Sequence, residues 1–429
     1  MIRSILLTGL ICIAAVAAAA DPKAEPRVAV GKYAAPTGLL LQREAGGKGW
    51  QVVKQGGELF SGDTLVGVPG AAVESKNGAV KLELLSDLEG DSPYPVLESA
   101  VVLHAGADLN FTLDRGRVKL SGVKDKAAVK AGFRGQTWEL ALTEPKTEAA
   151  LELYGRWAPG VFLDMRKGKA TEEPTGQLVL TVLKGAVEVK HDKGQIALQA
   201  PPGPARFGWD SAAGVESGAQ RLDKVPDWAD PAAKPSADAK EKLARLEKFR
   251  TALAAGKADV VIGDLLKSKD AGDRRLGVVA LGATDDLPRL VDALNDEKQA
   301  DVRLNAVQVL RHWIGRSSGQ DQKLYDYLVA EKKYPPGQAD ITLRLLHSFG
   351  AADLGRPETW ELLIAYLTHD KQPVRELARW HLYRLVAAAK EIPYDAAAPA
   401  KERDAAQAKW RVLIPEGKLP PRVEDKPKN

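Results

Sequence analysis

An aspartate stands at a glycine-marked break in the stretch "GGELFSGDTLVG", Gly56 to Gly67. The run otherwise alternates apolar and polar residues, so Asp63 is either a carboxylate placed for chemistry or the pivot of a turn. A hydrolytic pair needs a second carboxylate held opposite the first. Glu58, Glu74, Glu83, Asp87, Glu89 and Asp91 are all near in sequence, yet no spacing sets two of them face to face. A Gly-Asp step between strands supplies a positive φ and an Asx-type hydrogen bond to the backbone that follows. Gly62-Asp63, and Asn77-Gly78 further on, therefore read as structural turns.

The other reactive residue types give equally plain readings. "SDLEGDSPYP" (Ser86 to Pro95) is acidic but lacks the alternating carboxylates of an EF-hand, so it reads as a solvated loop. His104, His191, His312, His347, His369 and His381 include no HExxH and no i, i+4 pair. His369 and His381 could approach across a helical hairpin, but a zinc site needs a third ligand that the sequence does not supply. His381 falls on the apolar side of its helix and reads as an interface residue. No G-x-S-x-G, P-loop or G-x-G-x-x-G occurs. No catalytic residue, no metal and no cofactor is expected.

Tryptophans divide by region. Trp313, Trp360 and Trp380 fall in helical segments and read as core. Trp50, Trp138, Trp157 and Trp209 fall in strand-like segments, where aromatics on one face could stack on sugars; their apolar neighbours favour core. Beside Trp380, Lys371, Arg375 and Arg379 make a basic patch, the candidate binding residues for a peptide or an envelope polymer. The plain alternative is a solvated helix face.

These residues sit in a chain of 429, long enough for two or three domains. With 61 basic and 57 acidic residues the charge is nearly balanced, and no nucleic-acid partner is implied. The opening "MIRSILLTGLICIAAVAAAADPKAEP" has a basic start, an apolar core from Ile5 to Val16 and small residues at Ala18 to Ala20. That is a secretory signal in type, expected over 1–20. Contact with a membrane is expected only through an uncleaved form of this segment. Cys12, the single cysteine, lies within it, so the processed chain carries no thiol.

Two textures follow. From Val28 to Ser217 short alternating runs such as "VKLELL", "LNFTL", "TWELAL" and "LVLTVL" are separated by Gly, Asn and Asp, which predicts an all-β sandwich or roll. Residues 218–238 are rich in Pro, Ala and charge and read as a linker. Residues 239–388 carry helical periodicity and an internal repeat: "DRRLGVVAL", "DVRLNAVQVLRHW", a weaker "DITLRLLHSF" and "PVRELARWHLYRL". Aligned on their third residues these place Arg275, Arg303, Thr342 and Arg375 in register. Paired helices at that period predict a short α-solenoid. Residues 389–429 form a Pro/Ala/charged tail, with one more helix expected from Ala400 to Trp410.

"LFSGDTLVGVPGAAVESKNGAVKLEL", with Leu59, Gly62, Asp63, Leu65, Asn77 and Gly78, resembles the FecR domain, a periplasmic β-domain. "DRGRVKLSG", "FRGQTWELAL" and "VLKGAVEVKHDKGQIAL" resemble its later segments. The helical part resembles HEAT repeats, with Asp270, Asp296 and Asp370 preceding Arg275, Arg303 and Arg375; in that family such residues tie neighbouring repeats together. Thr342 departs from the pattern. As a whole the chain is similar to envelope proteins of planctomycete bacteria. FecR regulators carry a cytoplasmic helical segment before their membrane span; only Met1 to Ser4 precede the apolar segment here, so direct sigma-factor control is not expected.

The fold expected is thus multidomain, all-β plus all-α. The role expected is a non-enzymatic extracytoplasmic binding or scaffold protein whose β-domain meets an envelope ligand and whose repeats meet a protein partner. Two alternatives are a carbohydrate-binding or carbohydrate-modifying module, and a FecR-related sensor acting through another membrane protein.

Overall fold

The computed structural model describes residues 27–35, 38–47, 49–68, 70–88, 98–161, 172–216, 218–230, 232–414 and 418–420. The expected signal segment, and Glu89 and Asp91 of the acidic loop, lie outside them. Strands come first. β1 (Ala29–Tyr33), β2 (Leu39–Arg43), β3 (Gln51–Val52), β4 (Glu58–Phe60), β5 (Thr64–Val68) and β6 (Ala71–Ser75) open the region. β7 (Val80–Leu85), β8 (Ser99–His104), β9 (Leu109–Gly122), β10 (Ala127–Phe133), β11 (Gln136–Leu142) and β12 (Glu148–Arg156) follow. β13 (Thr175–His191), β14 (Gly194–Ala200), β15 (Ala205–Asp210), β16 (Gly214–Val215) and β17 (Gln220–Arg221) close it.

Two long strands join two sheets into one barrel-like whole. β9 pairs with β8 and β10 up to Arg115, then with β7 and β12 from Gly116 onward. β13 pairs with β12 and β15 in its first half, then with β11 and β14 from Gly185 onward. Gly116 (φ 88°) and Gly185 (φ 77°) stand at the two crossings. A side chain resists that left-handed backbone, and glycine does not. Strands that change sheet at such corners are how two packed sheets share an edge.

Alternation decides what each strand buries. Leu40, Leu65 and Val101 point into the core between the sheets. Their neighbours Leu39, Leu41, Val66 and Ala100 point the other way, into a second core made mainly by helices. The run Leu39-Leu40-Leu41 is apolar throughout because both faces of β2 are covered.

The helices are α1 (Ala237–Ala255), α2 (Ala258–Leu266), α3 (Ala271–Ala283), α4 (Leu287–Leu294), α5 (Ala300–Gly315) and α6 (Gln320–Ala330). They continue as α7 (Pro336–His347), α8 (Ala351–Leu354), α9 (Pro357–Ala365), α10 (Gln372–Leu385) and α11 (Ala400–Val412). Caps set their starts: Ser236 accepts from Ala239 N on α1, and Asp270 accepts from Asp273 N on α3. The four repeat copies fall on α3, α5, α7 and α10, which lie side by side: α3 against α5, α5 against α7 and α10, α7 against α10.

The register of the first copy is corrected by one residue. Arg303 donates to Asp296 O, and Arg375 to His369 O and Asp370 O, each reaching the loop before its own helix. In α3 the residue that does this is Arg274, bonded to Ser268 O and Lys269 O, whereas Arg275 is exposed. Only the buried arginine sits where those loop carbonyls are within reach. Arg274 also holds Asp301 of α5 through two bonds of 2.9 and 3.0 Å, and Arg303 holds Glu376 of α10 at 2.8 Å.

Two stretches are more structured than their composition suggests. In the 218–238 segment, β17 pairs with β15, and Trp228 lies against the Arg117 guanidinium at 4.0 Å. In the tail, Asp395 pairs with Arg303, Ala396 O accepts from Arg375, and Trp410 of α11 is wholly buried among the helices.

Candidate functional site at the seam of sheet and helices

The last carbonyls of a helix have no partner within it and carry the negative end of its dipole. At the ends of α3 and α5 those carbonyls are met by side chains of the β-region. Arg115 donates to Ala283 O at 2.8 Å, and Trp50 donates its indole N–H to Thr284 O at 2.8 Å. Arg134 donates to Gly315 O at 2.9 Å, and Trp157 donates to Ile314 O at 3.0 Å. A guanidinium and an indole serve each helix end. The two tryptophans are placed by β-strand ends, the two arginines by β9 and by the turn after β10.

Between these two helix ends lies a buried charge cluster. Glu98 Oε1 accepts from Arg115 Nε at 2.6 Å and from Arg316, the residue that follows α5. Arg316 also donates to Gly282 O at 2.9 Å and to Asp285 at 3.1 Å. Burial alone would raise the Glu98 carboxyl, but Arg316 and Arg115 outweigh it and hold the group down at about 2. His312 approaches Glu98 at 3.9 Å; burial, then Arg316, push its pKa down to about 4, so it is neutral at pH 7. Glu98 Oε2 is buried and makes no hydrogen bond among the described residues.

Glu98 borders a cavity of about 260 Å³ between the sheet and α1 to α3. Leu41 and Val66 line it from the sheet, Phe249 and Leu246 from α1, Ile262 from α2 and Val279 from α3, with charged side chains such as Lys242 and Arg245 at its mouth. Lys242 is engaged with Asp238 and Leu88 O, and Arg245 with Glu241, Asp270 and Asp273. The site is an apolar chamber with one buried, ionised carboxylate at its side.

The residues singled out from sequence sit as follows. Gly62 has φ 86° and Asp63 N donates to Phe60 O, which makes the turn between β4 and β5. Asp63 is fully buried and accepts from Phe60 N at 2.9 Å, from Gln42 and from Arg27. Its hydrogen bond thus runs back to the residue before the turn, not forward as an Asx turn would. Asn77 accepts from Ala79 N at 3.0 Å, and Gly78 has φ 67°. The basic patch is not a free surface. Arg375 is buried, with its donors on Ala396, His369 and Asp370 carbonyls. Arg379 is held by Glu376 and Tyr394 O, and Lys371 lies 4.4 Å from the Tyr334 ring. The tail, through Ala396 and Tyr394, covers Arg375 and Arg379.

His381 is buried on α10 and donates to Leu345 O of α7 at 2.7 Å, an interface role. His369 accepts from Lys371 N. Trp138 packs edge-on against Phe133 at 5.2 Å, and Trp157 and Trp209 are buried too. The sugar-stacking reading loses the aromatic platform on which it rested. Glu98, Arg115 and Arg316 were missed in the sequence; the one signal available was the Arg-Gly-Arg at 115–117, two arginines flanking the glycine at which β9 changes sheets. Among the described residues no group of His, Cys, Asp and Glu could hold a metal ion. Compared with known proteins, the chain matches no family model and no curated protein sequence.

Proposed function

We propose that this protein is a non-enzymatic extracytoplasmic binding scaffold, in which a FecR-like β-region binds or senses an envelope ligand and HEAT-like repeats bind a protein partner. The observation that carries the reading is the seam. Four side chains of the β-region close the ends of α3 and α5, so the repeats are held at one angle to the sheet. Fixed geometry is what a scaffold needs in order to hold two bound molecules at a set distance.

Three further features support it. "DRGRVKLSG" and "VLKGAVEVKHDKGQIAL" carry the FecR resemblance, and they contain the glycines at which β9 and β13 change sheets. The Arg274–Asp301 and Arg303–Glu376 ties between stacked helices are of the kind HEAT repeats use. Glu98 is pinned in its ionised form at neutral pH, far from the poise that general acid–base chemistry needs.

Cell fractionation with site-specific photo-crosslinking tests this. A photoreactive residue at Val260, 58% exposed on α2, is expected to give a discrete product with an envelope protein, and the chain is expected in the extracytoplasmic fraction. Recovery from the cytosol, or a Val260 probe that reacts with no envelope protein, contradicts the reading.

A further inference from the structure

A second cavity, of about 250 Å³, lies on the far side of α5, between the end of β12 and the ends of α7 and α10. Its lining includes Arg156, Arg311, Arg384 and His347, and no carboxylate among the described residues. Trp157, Ile314, Phe349 and Leu354 supply apolar wall. Arg311 spends one N–H on Leu346 O, and the structure gives neither Arg311 nor Arg384 an acidic partner within 4 Å among the described residues. Both guanidiniums lie over the Trp380 ring, at 4.6 and 5.2 Å. Burial and the charge of Arg384 pull the Arg311 pKa down to about 10. Arg311 and the solvent-exposed Arg384 thus border one space with no carboxylate among the described residues to balance them.

The negative ends of the nearby helices do not supply that balance. Each is worth about half a charge, and its carbonyls are taken. Ile314 O is occupied by Trp157, Leu345 O by His381 and Leu346 O by Arg311. His347 adds a second unmet demand. It is 2% exposed, its ring lies 4.8 Å from Trp157, and neither ring nitrogen has a hydrogen-bond partner among the described residues. Asp321 is 3.7 Å from it, too far to serve.

We infer that this cavity is a binding site for a small organic anion: an apolar or aromatic body carrying one carboxylate. The carboxylate would lie between Arg311 and Arg384, a planar acceptor for two guanidinium forks. The body would lie against Trp157, Phe349 and Leu354. This inference is independent of the function proposed above, because it uses neither the seam cavity nor a protein partner.

Titration calorimetry on the full chain tests it with benzoate, benzyl alcohol and inorganic phosphate as probes. Benzoate should bind, and benzyl alcohol should bind about tenfold or more weakly, the loss of one charge-assisted bond pair. R384Q should weaken benzoate by about tenfold, and R384K, which keeps the charge but not the planar fork, should restore only part of it. Arg384 is exposed, so both variants keep the fold, which circular dichroism checks. Absence of benzoate binding, equal binding of benzyl alcohol, or an R384Q variant that binds benzoate unchanged overturns the site. Phosphate binding as tightly as benzoate overturns the apolar half of the assignment.

Discussion

Trp157, at the end of a long strand, donates its indole N–H to the carbonyl of Ile314, in the last turn of α5, at 3.0 Å. The contact crosses from the β-region to the helices and closes a carbonyl that no residue of α5 can reach. Replacing Trp157 by Phe keeps a ring in place and removes the donor. The buried carbonyl is then left unmet, at a cost of about 1–3 kcal/mol. Urea unfolding checks this; a change below about 0.5 kcal/mol would mean that the indole N–H does not hold the seam.

Gly315 ends α5 against the backbone of β12. A Cβ there would lie 2.8 Å from Arg156 Cα and 3.0 Å from Gly155 O, and neither backbone atom can swing aside. Gly315→Ala should therefore cost about 1–3 kcal/mol, although alanine is the better helix former. A neutral or stabilising result in thermal unfolding would show that sheet and helix can separate there.

Acid should destabilise the protein in two stages. Burial pushes the pKa values of His312, His347 and His381 down to about 4, about 4 and about 3. The unfolded chain protonates these rings near pH 6.5. Their contribution is thus complete above about pH 6.5 and is lost as pH falls toward 4, at up to about 1.4 kcal/mol per pH unit for each ring. Glu98, held at about 2, adds a loss that begins near the ordinary carboxylate value and runs down to about pH 2. Urea midpoints between pH 7 and pH 4 measure the first stage. His381→Gln should lower the slope by about one ring's share; an unchanged slope would contradict it.

Asp63→Ala removes the acceptor for Phe60 N, Gln42 and Arg27. Arg27 is more than a third exposed and regains water, so the buried Phe60 N–H and the emptied space dominate, at about 1–3 kcal/mol. Equilibrium unfolding reads the cost. Benzoate binding should be untouched, and a selective loss of binding in a stable variant would return Asp63 to a role in chemistry.

What could be read from sequence was local. Gly62 and Gly78 announce turns because their backbone demands are set within a few residues. The α3, α5, α7 and α10 helices announce themselves by period, and Ser236 caps α1 by its own hydroxyl. What could not be read was set by distance along the chain. Arg274 and Arg275 are chemically identical, and only the packed loop carbonyls distinguish them. Arg375 reads as a surface cation until Ala396 folds back over it. Trp50 and Trp157 look like sheet aromatics because their acceptors, Thr284 and Ile314, belong to another region. The same contacts show why the two regions share a core: Leu39, Leu41, Val66 and Trp157 are buried with the helices.

That shared core is the central claim, and scanning calorimetry of the full chain tests it most directly. If the seam joins sheet and helices into one cooperative body, the native protein unfolds in a single transition. Glu98→Gln, which removes the buried anion that Arg115 and Arg316 share and leaves them only Asp114 and Asp285 at its edge, should lower that transition and begin to split it, at a cost of at most about 3–5 kcal/mol. Two separate transitions in the native protein, with Glu98→Gln moving neither, would contradict the account.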